Sequence, residues 1–283
     1  MAIYIGSTKV KPANIKLITH GSNIIYQASK YKSVFANNTL AEIKEACQNN
    51  EIPDTWVVGD YKEITYTYNG NSYTDRIVLV DKTEGRYVYN SDGSYTHATF
   101  MILPSREDTE LTASSFGGTS NKKYSANDTL LRAVQNLESR YYTTSSDGTN
   151  LRLLLETIKI KSMTGSSSTV EDFACMLFIP SSLELGNYIY TNNTTASYKT
   201  GSNLGNFQLF VNMPITGGTI SERNNYNSIF KVTPNSAGEG PAYLWSRDYG
   251  GSTDRYAFYS RSDAGFNKGR NTRTCADIVC FSW

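Results

Sequence analysis

The chain has 283 residues, enough for one large domain, or a small unit joined to a larger one, with a substantial buried core. Lys and Arg number 27 against 26 for Asp and Glu, and the net charge of +1 supplies no global field that would gather nucleic acid or an anionic membrane. Tyrosine (21) outnumbers phenylalanine (11), a bias toward wet aromatic surface rather than dry core. No apolar run approaches the roughly 20 residues that span a bilayer, so membrane insertion is not expected. The opening MAIYIGSTKVK lacks the charged leader and long apolar stretch of a signal peptide, so the expectation is synthesis in a cytoplasm without export by the general secretory route. Cys47, Cys175, Cys275 and Cys280 are too few and too scattered for a disulfide scaffold.

In chain order, residues 2–27 read as a small β unit. Ile3 and Ile5 alternate with Tyr4, Gly6-Ser7 is a turn signal, and residues 9–11 return as a short strand. Residues 15–18 and 23–27 add further short strands around His20-Gly21-Ser22. So small a unit buries little apolar surface by itself, which predicts that it docks or oligomerises. Residues 28–37 read as a linker or strand. Thr39-Leu-Ala-Glu42 forms a capping box, and a helix runs from there to about Asn49 with Leu40, Ile43, Ala46 and Cys47 on one face. An antiparallel meander follows: Ile64, Tyr66 and Tyr68 alternate, Asn69-Gly70 turns, and Ile77, Leu79 and residues 86–89 continue it.

The region from about 125 to 161 reads as helical, with Asn127 or Asp128 as a cap, Leu130, Leu131, Val134 and Leu137 on an apolar face, and a second apolar stretch over 151–160. MTGSSSTVED is a break, and ACMLFIPSSLELG a buried strand with a turn at Ser181. Residues 187–237 are rich in Asn, Thr, Ser and Gly and read as long loops around one short strand at 207–211. The last stretch, 243–283, has apolar ends (Tyr243, Leu244 and Trp245; Ile278, Val279, Phe281 and Trp283) around a middle rich in Tyr, Arg, Asp, Ser, Gly and Asn. Two anchored ends predict that this middle is displayed as loops, and its composition is that of antibody binding loops, where aromatics give contact area at low entropic cost. Trp245, beside apolar neighbours, is expected in the core.

Catalytic signatures are sparse. The two histidines, His20 and His97, fall in different units, and no metalloprotease, serine-hydrolase, Walker or dinucleotide motif is present. Glu107, Asp108 and Glu110 read as a solvated acidic loop, although a spatial carboxylate pair for glycoside cleavage stays open at this stage. Cys275 and Cys280 lack a supporting pair for zinc, and a separation of five along a strand puts them on opposite faces, so buried thiols are expected. Asp248, Asp254 and Asp263 are the only candidates for calcium, and none is assigned; no cofactor is expected. The same aspartates interrupt Arg247, Arg255, Arg261, Lys268, Arg270 and Arg273, which argues against single-stranded nucleic acid.

Two resemblances follow from these residues. The leader IYIGSTKVK looks like the short leaders of phage tail and baseplate-associated proteins. The order IPDTW-VGD, IKIKSMTGSSSTVED, MLFIPSSLELG, LWSRDYGG and CADIVCFSW resembles a C-type-lectin-like domain of phage and bacterial surface proteins, over about residues 52–283. In that family a terminal W-x-R segment precedes a variable loop and a closing strand, and in some members diversity-generating retroelements mutate this segment. Where the family often closes on G-V-R-P or G-V-A, this chain has Cys275-Ala276-Asp277. The resemblance implies an α+β fold: an N-terminal β attachment and oligomerisation unit with linker (1–37), then a lectin-like ligand-binding domain (38–283) with variable-type loops at 245–274. It implies a phage tail receptor-binding protein, made in the host cytoplasm and located in the virion, that joins other tail or baseplate proteins as a homotrimer and recognises a host-surface protein or glycan without catalysis. The contact residues expected are Asp248, Tyr249, Ser252, Asp254, Tyr256, Tyr259, Asp263, Phe266, Lys268, Arg270 and Asn271. The alternatives are a tail-associated glycan-degrading enzyme and a purely structural baseplate component.

Overall fold

The computed structural model describes residues 29–104, 134–135, 138–142, 144–163, 170–181, 184–185, 205–211 and 278–283, together with the backbone of short strands within 3–27, 112–113 and 243–276. Mostly antiparallel strands with few helices make it an α+β structure. The leader forms two hairpins, β1 (Ile3–Ile5) with β2 (Thr8–Val10) and β3 (Leu17–His20) with β4 (Asn23–Gln27), as the turn signals predict.

The central sheet has four strands in the order β16-β8-β6-β5: β5 is Tyr61–Tyr68, β6 Asn71–Asp81, β8 Thr99–Pro104 and β16 Val279–Ser282. Asn69 (φ 48°) and Gly70 (φ 78°) close the β5–β6 hairpin, the pair of positive φ angles that a tight two-residue turn requires. Alternation along β5 puts Lys62, Ile64 and Tyr66 on the buried face, whereas the second half of β6 is buried on both faces. The expected continuation of this meander into residues 86–89 does not occur. The two-residue strand β7 (Val88–Tyr89) pairs instead with β10 (Ile158–Met163), which also pairs with β11 (Val170–Cys175).

Helix α1 (Leu40–Gln48) carries the capping box: Thr39 Oγ1 accepts from the Glu42 N–H at 3.2 Å and Glu42 accepts from the Thr39 N–H at 2.7 Å. Asn50, at φ 54°, ends it in the left-handed region. A second carboxylate reaches the same helix end from far away in the chain, Asp147 Oδ2 accepting from the Leu40 N–H at 3.1 Å.

Three sequence expectations change. Residues from Ile158 on form a strand rather than helix, because Ile158 and Ile160 are buried while Lys161 is exposed, a period of two. The cap at Asn127 or Asp128 and the apolar positions Leu130, Leu131 and Leu137 lie outside the described residues, and one helical turn forms at Leu151–Leu154. Residues Gln208–Val211 form a helical turn rather than a strand, since Asp81 Oδ2 accepts the Gln208 N–H at 3.0 Å and fixes the start of that turn. Residues 28–37 are not a spacer: Tyr31 and Phe35 are buried in the core, and Phe35 lies 5.2 Å from Trp56 and 6.2 Å from Phe100, ring centre to ring centre.

Asp147 provides a test of these long-range caps. Burial raises its affinity for a proton, but hydrogen bonds from Ser145, Thr149 and the Leu40 N–H outweigh that and hold the carboxyl below its ordinary value. A depressed value in the fold means that the stabilisation is complete above the unfolded carboxylate range, about 4, and is lost as pH falls through the folded value. Asp147→Asn should therefore lower unfolding free energy by about 1 kcal/mol at neutral pH, and the gap to wild type should close between pH 5 and the acid limit in denaturant titrations.

Candidate ligand-binding surface

The closing strand is the anchor of the terminal stretch. Every residue from Ile278 to Trp283 is buried, with Cys280 and Trp283 at 0% exposure. β16 pairs with β8 in register Val279↔Ile102 through Ser282↔Thr99. On its other side Cys280 exchanges both backbone hydrogen bonds with Phe178, at 2.7 and 2.9 Å. Trp283 donates its indole N–H to the Leu154 carbonyl at 3.0 Å, and its own carbonyl accepts from His97 and Ala98 at 2.7 and 2.9 Å. The thiol of Cys280 is enclosed as expected and Cys47 is buried too, but Cys175 is only half-buried. The side chains of Cys275 and Trp245 lie outside the described residues.

Between the apolar anchors the backbone is strand where loops are expected. β12 (Tyr243–Tyr249), β13 (Arg255–Ser260) and β14 (Gly265–Arg270) form an antiparallel meander, joined through β15 (Cys275–Ala276) to β9 (Thr112–Ala113). The physical reason is that Tyr, Phe, Thr and Trp favour pleated backbone as strongly as they favour binding surfaces, so their abundance does not distinguish a loop from a strand. β15 runs parallel to β12 at Leu244↔Ala276, which ties the meander to the segment leading into β16.

The expected contact residues divide across this meander. Asp248 and Tyr249 fall in β12, Tyr256 and Tyr259 in β13, and Phe266, Lys268 and Arg270 in β14. Ser252, Asp254, Asp263 and Asn271 lie outside the described residues. The β13–β14 ladder pairs Tyr259↔Phe266, Ala257↔Lys268 and Arg255↔Arg270, so these positions share one face. Tyr256 pairs with Tyr249 on one side and Gly269 on the other, which puts the two tyrosine positions on the opposite face. The strand register therefore does not place all the expected residues together: Tyr259, Phe266, Lys268 and Arg270 form one group, Tyr249 and Tyr256 another. Between Trp245 and Tyr249 the β12 register shifts, an irregularity on which no face assignment for Asp248 rests.

Elsewhere several buried ionisable groups are tied into structural networks. Asp75, 1% exposed, accepts the hydroxyls of Tyr66 at 2.7 Å and Tyr141 at 2.8 Å on one oxygen. Burial, reinforced by the Asp75 charge, pushes both phenols far above their ordinary value, so they remain protonated donors. Arg86 holds Asp81 at 2.7 Å and donates to the carbonyls of Gly205 and Asn206, clamping that segment onto the sheet. Glu184 accepts from Tyr87 at 2.7 Å and from the Ser181 N–H at 2.8 Å. Among the described residues no group of three or more His, Cys, Asp and Glu side chains can hold a metal ion, and no helix is long and apolar enough to cross a membrane. The acidic trio Glu107, Asp108 and Glu110 lies outside them.

One surface feature has no counterpart in the sequence reading. A groove of about 640 Å³ runs between residues 33–36 and the start of β5, with Val34 and Tyr61 exposed along it. It depends on a strand edge, which no local pattern of residues marks.

No family model, no curated protein and no solved structure matches the chain.

The enclosure of Cys280 predicts a structural role for the closing strand. Cys280→Ser places a hydroxyl in an apolar site and should cost about 1 to 3 kcal/mol, whereas Cys280→Ala should cost less. Urea titration of both variants checks the order, and ligand binding by the folded fraction should be unaltered.

Proposed function

We propose that the protein is a phage tail receptor-binding protein with a C-type-lectin-like domain, an adhesin that attaches to a protein or glycan on the host-cell surface through the β12–β14 meander and makes no covalent change to it. The observation that carries this reading is the placement of Tyr259, Phe266, Lys268 and Arg270 on one face of a ladder whose downstream strand is buried in the core. A contact surface needs large rigid side chains for area and cations for orientation, and arginine, tyrosine and tryptophan dominate the energetics of such surfaces. An antiparallel ladder holds opposite positions such as Tyr259 and Phe266 about 5 Å apart, and same-face positions along β14 roughly 7 Å apart, without loop entropy to lose on binding. The leader hairpins β1–β2 and β3–β4 serve, on this reading, to join the protein to tail or baseplate partners and to a homotrimer in the virion. The meander is the segment that a diversity-generating retroelement would vary, because its substitution leaves β16 untouched.

The two faces of the ladder separate cleanly in a binding experiment. Tyr259→Ala, Phe266→Ala and Lys268→Ala combined should reduce binding of labelled protein to a panel of intact bacterial cells at least tenfold, with the thermal midpoint shifted by only a few degrees. The pair Tyr249→Ala and Tyr256→Ala, on the opposite face, should have a smaller effect. Full binding by both sets would remove the meander as the contact surface.

A further inference from the structure

We infer that the outer edge of β5 is a docking site for an extended basic polypeptide segment, which adds as a strand beside Tyr61–Glu63; this does not depend on the adhesin reading. Among the described strands β5 is the last of the central sheet, bonded to β6 on one side. Its hairpin closes on the pair Tyr68↔Asn71, and the Leu79 N–H bonds to the Asp60 carbonyl, so the even-numbered residues of β5 exchange hydrogen bonds with β6. The odd-numbered residues turn their N–H and C=O groups outward. Thr65 confirms this, since its carbonyl accepts from the Ser146 N–H at 2.8 Å and its N–H donates to Ser146 Oγ at 3.3 Å. Ser146 thus closes the edge at Thr65. Two and four residues further back, the outward groups of Glu63 and Tyr61 have no partner among the described residues.

These four free backbone groups flank the 640 Å³ groove, which residues 33–36 border on the other side. An open edge next to a groove is the geometry by which an extended chain joins a sheet, main-chain bonds giving affinity and alternate side chains giving selectivity. The side chains here define the occupant. Residues of an added strand opposite Tyr61 and Glu63 share their face. There Glu63 is exposed with no ion-pair partner among the described residues, and Tyr61 presents a ring that Arg76 backs at 4.8 Å, whereas the Asp60 carboxylate lies outside this face and accepts the Val57 N–H at 2.9 Å. A cation beside the Glu63 carboxylate and another against the exposed Tyr61 ring match that face. The residue between them points to the groove side, where Val34 and Ala36 are exposed, and a small apolar side chain fits there. The occupant is therefore a segment of the pattern Lys-Val-Lys in extended conformation.

The test uses the full-length protein and an acetylated, amidated pentapeptide, Thr-Lys-Val-Lys-Thr, titrated to millimolar concentration while backbone amide shifts are followed by NMR. Saturable shifts should centre on Tyr61 to Glu63, and the analogue with both lysines replaced by glutamate should bind at least tenfold more weakly. Glu63→Pro removes one outward donor but no bond to β6, a position where an edge strand tolerates proline, and should weaken the lysine peptide at least tenfold. Glu63→Lys should reverse the preference between the two peptides. A peptide N-methylated at both lysines, the residues opposite Tyr61 and Glu63, removes the same backbone bonds on wild-type protein, so an unstable proline variant does not spoil the test. Absence of saturable shifts, shifts centred elsewhere, or equal binding by the N-methylated peptide would overturn the proposal. The exposed Glu63 would then serve only to keep the edge from pairing with other chains.

Discussion

A run of aromatic contacts holds together parts of the chain that sequence keeps far apart. Trp56 meets Phe35 edge-on, Phe35 stacks toward Phe100, and Phe100 contacts both Phe281 and Trp283 at 5.2 and 5.3 Å. Each ring is at most 2% exposed, so each contributes its full apolar area, and offset or tilted pairs add a further increment of about 0.5 to 1.5 kcal/mol. The segment before α1, the loop before β5, strand β8 and strand β16 all converge there. Both indole N–H groups leave this cluster satisfied, Trp56 on the Lys32 carbonyl and Trp283 on the Leu154 carbonyl. Residues that look like linker and terminus are thus the two ends of one core.

Around that core, buried carboxylates fasten the connecting segments. Asp81 is the clearest case, because it accepts from Arg86, from the Thr83 N–H and from the Gln208 N–H. A fully buried charge survives only when it is paired and its remaining lone pairs are used, and here both conditions hold. Asp147 does the same for α1 and also lies 3.6 Å from Lys62 Nζ, whose ammonium donates to the Ala36 carbonyl. Because these bonds are directional, they fix where each segment lies, whereas the aromatic cluster would tolerate some sliding.

Legibility in the sequence follows the range of the interaction that decides each element. The capping box at Thr39 and the Asn69-Gly70 turn are decided by residues three or fewer apart, and both form as read. Strand β8 has no alternation to announce it, since Phe100 to Leu103 are all buried. The turn at Gln208 depends on a carboxylate 127 positions away, which no local pattern reveals. Ile158 and Ile160 did carry a period of two, but the leucines just before them blur it into a helical pattern. For the candidate surface, composition locates the stretch and the apolar brackets locate its anchor. It does not separate loop from strand, and therefore misses that the ladder sorts the aromatic and charged positions onto two faces.

The pairing of β8 with β16 has a consequence for how the chain reaches this fold. Thr99 and Ser282 are hydrogen-bonding partners 183 positions apart, and every bond between those strands closes a loop of comparable length. Contacts of such separation slow folding, because the entropy of loop closure is lost before any contact rewards it. During synthesis β5, β6 and β8 leave the ribosome long before residues 278–283, so one edge of β8 stays open while the intervening chain is made. Sequence changes between β8 and β16 then bear on the yield of folded protein through the time they leave that edge bare, even where they touch nothing in the finished core.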